Sequence, residues 1–136
     1  MSRFTAEQRQ VFGALADILI PEAEGMPSAT SVGVADDLLD RVANLRSDIV
    51  GDLLRVCRLS ATLDPQAAIE KIWTEDEEGF AALGLAVAGG YYMSEPVRRL
   101  LGYTGPERRP VPIDAPDEFG ALMEPVIRRG PIYRSV

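Results

Sequence analysis

Whatever chemistry this chain does, it does without histidine, since none occurs in its 136 residues. That removes the commonest general base, the Ser-His and Cys-His nucleophile pairs and every imidazole metal ligand. Carboxylates, one thiol and four tyrosines remain. Asp36, Asp37 and Asp40 lie within one helical turn, and Asp37 with Arg41 has the (i, i+4) spacing of a surface ion pair, so this group is expected to be a solvated face. A carboxylate di-iron bundle needs Glu-x-x-His pairs, which cannot exist here. The run Glu75, Asp76, Glu77, Glu78 has the charge for a hard cation, but consecutive side chains point in different directions, whereas calcium loops space their ligands along a turn. There is no P-loop and no GxGxxG after a strand; Gly89 and Gly90 fall inside a helical pattern. No catalytic, cofactor-binding or metal-ligating residue is therefore expected in this chain.

Cys57 is the single cysteine, which rules out an intramolecular disulfide and a cysteine-ligated cluster within the chain. Its setting, LLRVCRL, is an apolar helical pattern in which a thiol acts as a small buried hydrophobe. The other candidate is a set of aromatic and arginine residues late in the chain: Tyr91, Tyr92, Arg98, Arg99, Tyr103, Arg108, Arg109, Ile132, Tyr133 and Arg134. Tyr and Arg are enriched among the residues that carry binding energy in protein interfaces, so this set is expected to face a partner. The competing reading is a set of internal caps, with Tyr hydroxyls anchoring loops and helix-end arginines satisfying carbonyls. The ending GPIYRSV is a proline-stiffened apolar tail suited to lying on another protein.

The elements that must carry these residues are helical. Thr5 followed by Gln8 is a capping-box signature, and Val11, Phe12, Leu15, Ile18 and Leu19 repeat at helical spacing until Pro21. PEAEGMPSATS reads as a loop. Val34, Leu38, Leu39, Val42 and Leu45 predict a second helix from Gly33, and Ile49, Leu53, Leu54, Val56, Cys57 and Leu59 a third from near Ser47. Asp64 before Pro65 starts a fourth. Thr74 with the acidic run behind it is expected to open a fifth, uncharged from Gly79 to Ser94 and shorter than the ~20 apolar residues of a membrane span, hence a buried central helix. Ser94, Glu95 and Pro96 restart a helix that Gly102 ends; residues 102–117, with four prolines, read as an extended arm; and a last helix over 118–129, kinked or restarted at Pro125, leads to the tail. The expected fold class is all-α, about six helices over residues 1–101, with residues 102–136 as an arm, short helix and tail of the same domain.

Composition agrees with a folded chain: 46% of residues are hydrophobic and 26% charged. The net charge of −7 and a pI near 4.6 argue against nucleic acid. The charge is uneven, with 7 basic and 16 acidic residues over 1–97 but 7 basic and 5 acidic over 98–136. Thirteen of the fourteen basic residues are Arg, Lys71 being the exception, and Arg suits bidentate pairing and aromatic stacking at interfaces. The opening MSRFTAEQRQ has neither an apolar signal region nor a twin-arginine pair, from which a cytoplasmic location is expected, or a periplasmic one only through a signal-bearing partner.

In their order, YYMSEPVRRLLGYTGP, the closing RGPIYR, the opening FTAEQRQVFGALADILIP and GMPSATSVGVADDLLDRV resemble the gluconate 2-dehydrogenase subunit 3 family over nearly the whole chain. The resemblance implies a non-catalytic small subunit that supports a large glucose-methanol-choline type flavoprotein oxidising a sugar or alcohol, with FAD in the partner and none here. Many relatives begin with a twin-arginine signal, and this sequence departs from them there. Two other readings stay open: a self-contained helical ligand-binding or homo-oligomeric protein, and a small enzyme using carboxylates or Tyr.

Overall fold

The computed structural model describes residues 3–108 and 118–132. Among these the chain forms seven α-helices and no strand, so the fold is all-α as expected. It divides into two compact units, Met1–Thr104 and Gly105–Val136, a boundary three residues beyond the one the sequence suggested.

The first unit begins with α1 (Ala6–Leu19), opened by the capping box: Gln8 N–H donates to Thr5 Oγ1 at 3.2 Å and Thr5 N–H to Gln8 Oε1 at 2.9 Å. It buries Phe12, Leu15 and Ala16 and stops before Pro21, whose ring excludes helical backbone from Ile20 (φ −130°). The following loop is tightly built. Ala23 and Met26 exchange backbone hydrogen bonds around Glu24 (φ 51°) and Gly25 (φ 82°), the two left-handed residues a type I′ turn requires. Asp17 then accepts from the backbone N–H and the hydroxyl of Thr30, at 2.8 and 2.6 Å, fixing a 3₁₀ turn over Thr30–Val32.

Helix α2 (Asp37–Leu45) starts four residues later than the apolar pattern from Gly33 suggested. Its acidic face also pairs differently. Asp37 and Arg41 make no ion pair; instead Arg9 of α1 donates from Nη2 to both oxygens of Asp40 at 2.7 Å and from Nη1 to the carbonyls of Ala35 and Asp36 at 2.8 Å. One guanidinium thus fastens the entry of α2 to α1. A fork of five donors suits this task, and a local (i, i+4) rule cannot foresee a partner 31 residues away.

A 3₁₀ turn, Ser47–Ile49, leads into α3 (Val50–Ser60), and Asp64 caps α4 (Pro65–Glu75) through the N–H groups of Gln66 and Ala67. Thr74 does not open the next helix. It lies inside α4 with its hydroxyl bonded back to the carbonyls of Glu70 and Lys71, and Asp76 caps α5 (Glu77–Met93) by accepting from Gly79 N–H at 2.9 Å. Helix α5 is central: it packs against α1, α2, α3, α4 and α6 and buries Ala82, Leu83, Ala86, Val87 and Tyr91. Cys57 is buried as expected, its Sγ 3.6 Å from the Gln8 carbonyl and its thiol pushed up to about 11 by desolvation. The unit closes with α6 (Glu95–Leu100), anchored by the buried Val97. In the second unit α7 (Glu118–Arg129) contains Pro125, and Gly130 (φ 72°) follows it.

Candidate partner interface

The expected interface residues separate into three groups. Tyr91 is not on the surface: it is buried in the first unit, and its hydroxyl donates to the Pro27 carbonyl at 2.7 Å, a bond that ties α5 to the loop after α1. Burial first, and Tyr92 second, raise its phenol pKa. It performs the loop-anchoring role weighed against the interface reading. Tyr92, one step further round the helix, is 58% exposed, its ring edge-on to Tyr91 at 5.7 Å.

The exposed group is Tyr92, Arg98, Arg99 and Tyr103, and it gains Leu100 and Leu101. Local backbone chemistry holds these side chains out. Ser94 stands at the start of α6 without a side-chain cap bond, and its extended backbone (ψ 125°) turns the chain out of α5. At the other end Gly102 (φ 65°) donates to the Arg99 carbonyl at 3.1 Å and Tyr103 N–H to the Arg98 carbonyl at 2.9 Å, the paired bonds of a Schellman ending. Glycine is needed there because the left-handed conformation strains other residues. Arg99 donates to Glu95 at 2.5 Å, and this hydrogen bond holds the Glu95 carboxyl below the usual range. Large apolar groups on a short, well-terminated helix, interleaved with guanidinium groups, have the composition of interface cores.

In the second unit Arg108 and Ile132 are exposed. Arg109, Tyr133 and Arg134, with arm residues 109–117, lie outside the described residues. Reasoning from sequence passed over a further exposed group on α7: Leu122, Met123, Val126 and Ile127. Their signal was legible as helical spacing, but α7 was read as a lead-in to the tail.

Asp52 and Asp76 share one guanidinium. Arg55 of α3 donates to both oxygens of Asp76 at 2.9 and 2.8 Å and to Asp52 at 2.5 Å. The Arg55 bonds, then the Gly79 N–H, depress the Asp76 pKa, and the bonds to Asp76 and then to Asp52 raise that of Arg55. Gly79 is required at this cap, since a Cβ there would overlap the Asp76 carboxylate and lie 2.9 Å from Val56 Cγ2. A cleft of about 390 Å³ between α3 and α4 is lined by Leu59, Leu63, Ile72, Lys71 and the paired Arg55 and Asp76. A general acid at neutral pH needs a raised carboxyl pKa. Asp48, Asp76 and Glu95 are displaced the other way, each chiefly by a guanidinium hydrogen bond. Among the described residues no group of three or more Cys, Asp or Glu is placed to hold a metal ion, and no helix is long and apolar enough to cross a membrane.

Compared with known protein families, with curated proteins and with solved structures, the chain finds no match.

Proposed function

We propose that this chain is a non-catalytic small subunit that binds a large FAD-dependent oxidoreductase of the glucose-methanol-choline type, acting on a sugar or alcohol, and supports its folding and stability. The observation that carries the reading is the exposed group of Tyr92 at the end of α5 with Arg98, Arg99, Leu100, Leu101 and Tyr103 on and just after α6, where Val97 is buried. Exposed Tyr, Arg and Leu side chains on a preorganised helix end contribute binding energy with little ordering cost. The resemblance of nearly the whole chain to the subunit 3 family supplies the kind of partner. FAD and the redox chemistry belong to that partner; the residues described here contribute contact surface. We place the complex in the cytoplasm, and recovery of the chain with a periplasmic marker on fractionation would contradict that placement.

The test is to produce a flavoprotein of that type from the same genome with and without this chain. Soluble, yellow, FAD-loaded flavoprotein is expected in much higher yield when the chain is present. Equal yield and activity in its absence would remove the supporting role.

A further inference from the structure

We draw no further inference here: the strongest candidate, the cleft between α3 and α4 with the buried, unpartnered hydroxyl of Ser60 at its wall, carries nothing because that oxygen is closed to solvent, and so to a molecule in the cleft, and nothing in the structure shows what fills the space.

Discussion

Asp76 serves two neighbours with one carboxylate: it caps α5 through Gly79 N–H and grips the guanidinium of Arg55. Because these bonds hold its folded pKa below the usual value, the stabilisation is fully present above the unfolded carboxyl pKa of about 3.9 and is lost as pH falls through the lower folded value. Stability measured by urea titration should therefore decline below about pH 4. Asp76→Asn, which keeps a capping oxygen but loses the charge, should be less stable at neutral pH and show a shallower acid decline; an acid limb identical to wild type would contradict the assignment. Tyr91 makes the second residue-scale case. Tyr91→Phe leaves the Pro27 carbonyl without its donor and should cost about 1 kcal/mol of unfolding free energy, whereas Tyr92→Phe should be neutral. Two adjacent tyrosines have identical letters and differ by one step round a helix. Which one points inward depends on where the Pro27 loop returns, a contact 64 residues distant that no local pattern contains. The same distance effect hid Arg9 and Asp40, while the short-range bonds of Thr5 with Gln8 and of Asp64 with Gln66 were legible because both partners lie within one turn.

Element by element, apolar periodicity located the helices, and capping chemistry set those ends where the cap is local. It failed where two rules competed. Thr74 before an acidic run looks like a helix start, yet α4 continues through it because Asp76, two residues on, finds both Gly79 and Arg55. Helix α2 begins after the pattern does because Val34 and Ala35 are buried in the non-helical approach to it. The central position of α5 was legible from sixteen uncharged residues between Gly79 and Ser94, and it makes a quantitative claim. Leu83 is fully buried at the centre of the unit. Leu83→Ala should cost about 2–5 kcal/mol, read as an earlier denaturation midpoint with an unchanged slope. Leu85→Ala, on the open side of the same helix, should fall within about 0.5 kcal/mol of wild type. Equal effects at the two positions would mean that α5 is rotated from the orientation described. The apolar face of α7 was equally visible as spacing, but spacing alone does not say whether a face is buried within the chain or left for another molecule.

Taken whole, the chain is acidic and helical, and large apolar or aromatic side chains are exposed on α6 and α7 as well as at Leu45, Leu59 and Trp73. The structure's division at Thr104 also refines the charge asymmetry: Arg98 and Arg99 belong to the first unit, on the exposed side of α6, and not to a separate basic arm. All-α architecture follows from periodicity and caps, since both are local. The partner does not, because an interface is a property of two molecules and only its composition is written in one. The most direct measurement is the mass of the co-produced pair after affinity capture through this chain, by size-exclusion chromatography with light scattering and simultaneous flavin absorbance. A single peak heavier than the flavoprotein alone, carrying flavin and this 14.8 kDa chain together, is expected. The account is contradicted if the chain elutes by itself at its own mass while the flavoprotein is soluble, flavin-loaded and active without it.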